Sequence, residues 1–249
     1  PYPFLKSNVL GTFRILEALR GDNPKAKMIH VSTDEIYGDI SEASFGEDDR
    51  PKPSNPYAAT KCAADMLALA YHRTYGVLVT VTRCTNNFGP YQHPEKLMPK
   101  TIIRALRHLP VPVYGTGTQI RDWIYVLDHC EALRSVVEAG RPGEIYNIST
   151  GNEIPNLKIV ESILQIMGKS RALIQFVEDR PGHDIRYSLS SKKIRSEIGW
   201  KEKHSFPEAL KKTVKWYIEN EWWWRRQASR KILDPTPWKR RWSEKVNRT

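Results

Sequence analysis

The sequence is poor in cysteine and has no long apolar stretch, and both features narrow its possible classes. Only 3 of its 249 residues are cysteines, Cys62, Cys84 and Cys130, and no two of them form a CxxC pair. Any disulfide scheme leaves one of them unpaired, so the pattern favours reduced thiols and a cytoplasmic protein. No apolar run approaches the roughly 20 residues of a membrane-spanning helix. The sequence therefore predicts no membrane partner.

Acidic residues are fewer than basic ones. The chain has 28 Asp and Glu against 39 Lys and Arg, and residues 201–249 alone hold 14 Lys and Arg against 6 Asp and Glu. A basic tail can bind nucleic acid, but this one contains six tryptophans and no nucleic-acid-binding signature. We expect the tail to pack on the protein body and predict no nucleic-acid partner. A small anionic ligand needs only a few well-placed cations.

Helix and strand patterns alternate in the first part of the sequence. Apolar residues at helical spacing predict a helix over 8–20, and an alanine-rich run predicts a second over 57–75, closed by Gly76. Short β-branched runs predict strands at 28–32 and 77–83. This alternation indicates an α/β protein with a doubly wound parallel sheet.

Beyond residue 90 the patterns predict a smaller second lobe and returns to the main sheet. The predicted elements are a helix ending at Arg107, strands at 111–114, 145–149 and 172–177, and helices at 155–168, 191–198 and 207–220.

Polar residues follow directly after the apolar strand that begins at Met28. They are Ser32, Thr33, Asp34 and Glu35. Ligands of α/β proteins lie beyond the carboxyl ends of strands, so this stretch is a candidate site. The same residue types also begin helices, and a simple turn or cap is the alternative on this stretch alone.

Tyr57 and Lys61 are four residues apart and share one face of a predicted helix. A cation beside a phenol lowers its pKa, which would make Tyr57 a base near neutral pH. A tyrosine and a lysine at this spacing are common by chance. The pair indicates a catalytic site only because Thr33 lies at the end of the preceding strand. Thr33, Tyr57 and Lys61 together match the catalytic set of the short-chain dehydrogenases.

Two other patterns do not predict a site. Asp128, His129 and Cys130 are adjacent on a helix and cannot converge on one metal ion, so we predict no metal. Gly115-Thr116-Gly117 has no third glycine in a strand–loop–helix unit, and we expect a hairpin turn there.

The chain resembles the extended short-chain dehydrogenases/reductases, and most closely the dTDP-glucose 4,6-dehydratase family. The similar stretches are NVLGT, STDEIYGD, NPYAATK, RCTNNFGPYQHPEKLMP, GTGTQIRDWIYVLDH, EIYNISTGNE, DRPGHDIRY and NEWWW. Sugar epimerases of this fold share the tyrosine and lysine but usually lack an Asp-Glu pair after the threonine. The resemblance implies a partial Rossmann-like doubly wound parallel sheet with a smaller C-terminal substrate-binding lobe, NAD as cofactor, a nucleotide-sugar substrate and a homodimer.

The resemblance also implies the reaction, which is loss of water from dTDP-glucose to give its 4-keto-6-deoxy product. Tyr57 takes the proton of the C4 hydroxyl, and Thr33 hydrogen-bonds the developing carbonyl. Glu35 removes the C5 proton and Asp34 protonates the leaving C6 hydroxyl. Lys61 orients the nicotinamide ribose and keeps Tyr57 ionised.

The remaining implied positions bind the cofactor or the substrate. The implied cofactor-binding residues are Ser7, Tyr57, Lys61 and Asn87. The implied substrate-binding residues are Thr33, Asn86, Lys96, Leu97, Pro112, Val113, Tyr114, Arg121 and Asn156, with Asp179, Arg180, Pro181, Gly182, His183 and Arg186 as a diphosphate and nucleotide clamp. Arginine suits a clamp because its planar fork matches phosphate oxygens.

The family's opening strand and Gly-x-x-Gly-x-x-Gly loop have no counterpart in this sequence. We therefore expect residues 1–90, with returns near 120–150, to be the C-terminal half of the NAD-binding domain, with roughly eighty residues of the first half missing. Residues 91–249 then form mainly the nucleotide-sugar lobe and the basic tail. The alternatives are a dehydratase for UDP- or CDP-glucose, a sugar 4-epimerase, or a non-catalytic nucleotide-sugar-binding remnant. The sequence does not identify the base.

Overall fold

The computed structural model describes residues 1–239, and the chain divides into two compact units. Unit 1 comprises Pro1–Asn87, Ile120–Glu153 and Asp184–Phe206, and unit 2 comprises Phe88–Gln119, Ile154–His183 and the chain from Pro207 onwards. The last part of the predicted basic tail, residues 240–249 with Trp242, lies outside the described residues.

Helices and strands alternate through most of the chain. The α-helices are α1 Tyr2–Phe4, α2 Gly11–Asp22, α3 Pro56–Tyr75, α4 Leu97–Leu106, α5 Val126–Ala139, α6 Asn156–Ile166, α7 Lys192–Ile198, α8 Phe206–Glu219 and α9 Glu221–Trp224. The strands are β1 Met28–Thr33, β2 Val79–Cys84, β3 Asn86–Phe88, β4 Val111–Tyr114, β5 Ile120–Tyr125, β6 Ile145–Ile148, β7 Glu153–Pro155 and β8 Ile174–Val177. Leu5–Leu10 is π-helical, and Asp34–Tyr37, Arg171–Leu173 and Pro237–Lys239 are 3-10 turns.

Unit 1 is built on a parallel sheet with the strand order β1-β2-β6. Met28 of β1 pairs with Val79 of β2, and Val81 of β2 pairs with Ile145 of β6. Parallel neighbours require crossover connections, and α3 supplies the one between β1 and β2. Because β1 and β2 run in the same direction, both deliver their last residues to the same edge of the sheet. A second sheet has the order β3-β5-β7.

Both faces of the main sheet are covered by apolar clusters. One cluster contains Val79 and Val81 with Leu16 of α2 and Ala68 of α3. The other contains Cys84, Tyr146 and Ile148, with Ala132 of α5 and Ile194 of α7. Successive strand residues point to opposite faces, which explains how β2 and β6 serve both clusters. The predicted α/β class with a doubly wound parallel sheet is confirmed.

A buried polar network connects the main sheet to the turn after β1. The guanidinium of Arg83 donates to Asp65 Oδ2 at 3.0 Å and to Tyr37 Oη at 2.7 Å. Tyr37 Oη donates to Asn147 Oδ1 at 3.1 Å, and His30 Nε2 lies 3.2 Å from Asp65 Oδ1. Every one of these side chains is buried. Burying charges is tolerable only with such partners, so the network holds β1, β2, β6, α3 and the turn in one arrangement.

Unit 2 contains a short parallel sheet of β4 and β8, in which Val111 pairs with Ile174. Its core includes Ala105 of α4, Val113 of β4, and Val160 and Leu164 of α6.

Most predicted elements are confirmed, with two corrections. The helix predicted at 8–20 is part of a longer helical run from Tyr2 to Asp22. The turn at Gly115-Thr116-Gly117 has positive φ at both glycines, but it is not a hairpin, because β4 pairs with β8 whereas β5 joins β3 and β7. Strand β5 was not predicted at all.

None of the helices within residues 1–239 is long and apolar enough to cross a membrane. The three cysteines are free thiols.

Candidate active site

The end of β1 places a threonine and two carboxylates in one tight turn. Thr33 has extended backbone and caps the 3-10 turn that follows, since its hydroxyl oxygen accepts from Glu35 N at 3.3 Å. The same hydroxyl donates to Asp34 Oδ1 at 3.0 Å. Thr33 is therefore a cap, as the alternative interpretation of this stretch predicts. The same cap fixes the backbone that carries the two carboxylates, so capping is compatible with a functional role.

Asp34 and Glu35 are adjacent in sequence but lie in different surroundings. Asp34 is only 4% exposed, and burial together with the nearby Glu35 carboxylate raises its pKa from 3.8 to about 7. The hydrogen bond from Thr33 and the charge of Arg121 offset only part of this rise. Asp34 can therefore hold a proton near neutral pH, as a general acid must.

Glu35 is half-buried and held by Asn55, a residue that the sequence interpretation missed. Asn55 Nδ2 donates to Glu35 Oε2 at 3.2 Å, while Asn55 Oδ1 accepts from Ala58 N at 2.9 Å and caps α3. The capping role of Asn55 could have been predicted from the sequence, because Asn followed by Pro commonly begins a helix. Its hydrogen bond to Glu35 could not, because that bond depends on tertiary structure.

Tyr57 lies in the first turn of α3, but its pKa differs from the expectation. Burial raises the pKa of Tyr57 to about 12, and the charges of Glu35 and Asp34 add to the rise. The pKa of Tyr57 is thus raised in the chain itself, opposite to the expected lowering, and the Lys61 ammonium donates to Val31 O at 2.6 Å. The role of Lys61 in keeping Tyr57 ionised stays a prediction. A positive charge beside the phenol is needed to make it a base at neutral pH.

Lys61 and the predicted cofactor contact Ser7 lie on neighbouring helical segments. Burial lowers the pKa of Lys61. Ser7 is exposed in the π-helical segment, and the next residue, Asn8, donates to Thr60 Oγ1 at 3.0 Å. Thr60 in turn donates to Tyr57 O at 2.8 Å. The bonds of Asn8 and Thr60 thus fix the segment carrying Ser7 against the turn carrying Tyr57.

Several buried polar atoms near the ends of β1 and β2 fit a polar ligand. Asp34 Oδ2, Ser32 Oγ and Asn86 Oδ1 are buried and find no hydrogen-bond partner in the described part of the chain. Asn87 Nδ2 donates to Cys84 Sγ at 3.4 Å and to Thr85 O at 3.2 Å. Buried polar groups usually have partners, so these three atoms indicate where ligand groups complete the site. These polar groups are compatible with the polar ligands that the resemblance implies, NAD and a sugar.

Two arginines predicted to bind substrate are engaged within unit 1. Arg121 is 5% exposed and donates to the carbonyl oxygens of Asp184 and Ile185 at 2.8 and 3.2 Å. Arg186 forms a two-pronged pair with Glu153, with N–O distances of 2.7 and 2.9 Å. Arg186 belongs to unit 1, whereas the other five predicted clamp residues belong to unit 2. Its guanidinium is already paired with the Glu153 carboxylate.

The other clamp residues form an ordered turn in unit 2. Asp179 accepts from Gln119 Nε2 at 2.7 Å and from Arg180 N at 2.8 Å, and its Oδ1 lies 2.6 Å from His183 Nδ1. Gly182 has φ of 63°, which favours glycine. Burial raises the pKa of Asp179, but the bonds from His183 and Arg180 outweigh it, so the pKa is lowered overall and the carboxylate stays ionised.

The remaining predicted substrate residues also lie in unit 2. Pro112 and Val113 are buried in β4, and Tyr114 ends that strand half-buried. Lys96 is exposed just before α4 and lies 3.4 Å from Glu95. Leu97 packs on the core, Asn156 begins α6, and Pro181 precedes Gly182.

The side chain of Asp128, in the adjacent Asp128-His129-Cys130, accepts hydrogen bonds from backbone groups. The part of the chain that the structure covers contains no group of three His, Cys, Asp or Glu side chains suited to a metal ion. Asp128 instead accepts from the backbone N–H groups of Lys203 and His204 at 3.0 and 3.3 Å.

Proteins of similar sequence include dTDP-glucose 4,6-dehydratases. A profile of the family described as GDP-mannose 4,6 dehydratase matches residues 1–213. A probable dTDP-glucose 4,6-dehydratase of Sinorhizobium fredii is 46% identical over 237 residues, covering 89% of this chain and 68% of the relative. A dTDP-glucose 4,6-dehydratase of Streptomyces niveus is 47% identical, covering 89% of this chain and 66% of the relative.

Solved structures similar to this chain include dehydratases and epimerases that act on nucleotide sugars. The crystal structure of dTDP-glucose 4,6-dehydratase from Bacillus anthracis in complex with NAD matches with a TM-score of 0.87 at 44% identity, covering 91% of this chain and 72% of that one. A UDP-glucose 4-epimerase of Thermus thermophilus in complex with NAD matches with a TM-score of 0.82 at 30% identity, covering 87% of this chain and 71% of that one. The chain thus spans about two thirds of the length of its relatives and belongs to the GDP-mannose 4,6-dehydratase family, in the group of the dTDP-glucose 4,6-dehydratases.

Proposed function

We propose that the protein removes water from dTDP-glucose to give dTDP-4-keto-6-deoxyglucose, with NAD as its cofactor. The observation that carries this proposal is the turn after β1. There, the buried carboxyl of Asp34, whose pKa is raised to about 7, and a second carboxylate at Glu35, held by Asn55, follow Thr33 directly. Loss of water from a sugar needs an acid for the leaving hydroxyl and a base for the neighbouring C–H. A sugar 4-epimerase needs neither of these two groups.

Each residue of unit 1 then has a defined task. The Thr33 hydroxyl, which donates to Asp34 in the chain alone, would turn to donate to the C4 oxygen. Tyr57 accepts the C4 hydroxyl proton while the C4 hydrogen would leave as hydride to bound NAD, so that C4 becomes a ketone. The ketone acidifies C5–H, and Glu35 removes that proton. Asp34 donates its proton to the C6 hydroxyl, which leaves as water. The buried position of Asp34 keeps this proton available at neutral pH.

Bound NAD would supply a hydride acceptor for the C4 hydrogen and, once reduced, a donor that returns the hydride to C6 as Glu35 returns a proton to C5, so that no external redox partner is required. Ser7, Tyr57, Lys61 and Asn87 are the residues that would hold it. The positive charge of an oxidised nicotinamide ring is of the kind that lowers a raised phenol pKa. Unit 2 would bind the nucleotide, with the turn at Asp179–His183 near its phosphates.

The test is to incubate the protein and NAD with dTDP-glucose and to look for loss of one water by mass spectrometry. UDP-glucose and CDP-glucose in parallel reactions identify the base preference. The Tyr57→Phe variant is the matched control, because it lacks the group that accepts the C4 proton. Unchanged dTDP-glucose, or only a C4 epimer, would contradict the proposal.

We also propose a homodimer formed through α2 and α3. Both helices carry apolar side chains away from the core: Leu10, just before α2, and Ile15 are each 53% exposed, and Met66 of α3 is 42% exposed. Adjacent exposed apolar residues on neighbouring helices are typical of an interface between copies of a chain. The free thiols are consistent with a reducing compartment, and we propose the cytoplasm.

Light scattering tests the dimer. Ile15→Glu should give monomers at micromolar concentration, because it would bury a charge at the interface. Val137→Glu on α5, where Val137 is 49% exposed, is the matched control and should leave the dimer intact. A monomeric unaltered protein would refute the assembly.

A further inference from the structure

A row of three cations on α4 and just beyond its end holds the backbone of a segment near the C-terminus, residues 228–239, which we call the strap. Lys100 Nζ donates to Asp234 O at 3.1 Å, Arg104 Nη1 to Leu233 O at 2.7 Å, and Arg107 Nη1 to Ala228 O at 3.1 Å. The spacing of four and three residues places the three side chains on one face. All these groups belong to unit 2.

The attachment of the strap is largely buried. Lys100 is 5% exposed and Arg104 is 9% exposed, and Ala228 and Leu233 of the strap are each 3% exposed. Burial and the neighbouring Arg104 lower the pKa of Lys100 to about 8. Two buried cations bonded to carbonyl oxygens would not be maintained around a loosely attached segment. The strap is therefore an integral part of unit 2.

The far end of the strap reaches residues assigned to nucleotide binding. The ring of Trp238 packs edge-on against Tyr114, with ring centroids 4.6 Å apart and an interplanar angle of 83°. Lys239 pairs with Glu178, the residue before Asp179. The strap thus ends beside both β4 and the turn at Asp179–His183.

The corner between the two rings has features that suit a nucleotide. Tyr114 and Trp238 are both partly exposed, and stacking on aromatic rings is a common way to bind bases. Trp238 Nε1 is buried and has no acceptor among residues 1–239. Burial raises the pKa of Tyr114, and the charges of Arg180 and Arg104 oppose that rise, so both cations lie near this corner, where an anionic ligand would meet them.

We propose that Trp238 contacts the nucleotide and forms, with Tyr114, the pocket for its base. This inference rests on the proposed function, since it takes unit 2 to be the nucleotide-binding part. It adds a binding residue from the strap, which the motifs shared with the family do not include.

The test measures dTDP binding by isothermal titration calorimetry to the unaltered protein and to Trp238→Ala. Loss of a stacking ring should weaken dTDP binding by roughly 10- to 100-fold. Trp222→Ala is the matched control, because Trp222 is 67% exposed on α9, and it should bind dTDP as the unaltered protein does. Trp238→Phe keeps a ring, guards against misfolding of the alanine variant, and should lose less affinity than Ala.

Inorganic pyrophosphate as a second probe separates the base from the phosphates. Its affinity should be the same for the unaltered protein and Trp238→Ala, because Trp238 contacts the base. Equal dTDP binding by the unaltered protein and both Trp238 variants would overturn this inference alone, as would an equal loss of pyrophosphate and dTDP affinity. No dTDP binding by the unaltered protein would overturn the proposed function and this inference with it.

Discussion

Replacing Asp34 by asparagine should stabilise the protein at alkaline pH while removing its activity. The folded-state pKa of Asp34 is about 7, raised by burial from 3.8. Between these values the folded protein keeps a proton that the unfolded chain has released. The free energy of unfolding therefore falls as pH rises from about 4 to about 7 and then levels off.

The magnitude follows from the pKa difference. At about 1.36 kcal/mol per pH unit, the rise from 3.8 to about 7 destabilises the ionised folded protein by about 4 kcal/mol. The amide side chain of Asp34→Asn does not titrate, and it can keep a hydrogen bond with Thr33. The variant should gain stability relative to the unaltered protein, and between pH 5 and pH 8 this gain should grow by about 2 to 3 kcal/mol.

Urea unfolding of both proteins at pH 5 and pH 8 measures this difference. Asp22→Asn at the exposed end of α2 controls for the amide itself, and its stability relative to the unaltered protein should not depend on pH in this way. Loss of the acid should slow water elimination by roughly 10²–10⁴-fold. A stability gap that stays constant from pH 5 to pH 8 would show that Asp34 is not the buried, protonated acid described above.

The other predictions concern the base, its holder and the buried network. Glu35→Gln should slow water loss by roughly 10²–10⁴-fold, because the variant lacks the base that removes the C5 proton. In a single turnover NADH absorbance should appear and persist, and exchange of the C5 hydrogen with deuterated solvent at the unaltered rate would disprove the assignment. Asn55→Asp should retain the cap of α3 but place a second negative charge beside Glu35. The kcat should therefore fall with little change in the thermal unfolding temperature, and an unchanged kcat would exclude a role of Asn55 in positioning Glu35. Asp65→Ala should cost about 3–5 kcal/mol in urea unfolding, because Arg83 would be left buried without its partner; a loss below about 1 kcal/mol would argue against the network.

The elements that bear the chemistry were predictable because their signals are local. Pro56 and Gly76 mark the two ends of α3, and the apolar run from Met28 marks β1. Spacing alone places Tyr57 and Lys61 on one face, and the position of Thr33 at a strand end follows from the pattern of the strand.

The features that were missed depend on distant partners. Strand β5 carries Arg121 and Asp122 in its interior, and both are buried. Their partners are the carbonyl oxygens near Ile185 and the hydroxyl of Thr150, which no local pattern reveals. The direction of the Tyr57 pKa was wrong for the same reason, because burial and the Glu35 charge come from the tertiary structure.

Asn55 makes two parts of the site respond as one cooperative unit. Its oxygen begins α3, which carries Tyr57, and its nitrogen holds Glu35. Fraying of the first turn of α3 would release both groups in the same local opening event. The proton acceptor for C4 and the base for C5 would therefore become ordered together, and a partly opened site would lack both. A partly opened site would therefore not form the C4 ketone while lacking the base that acts on C5 in the next step.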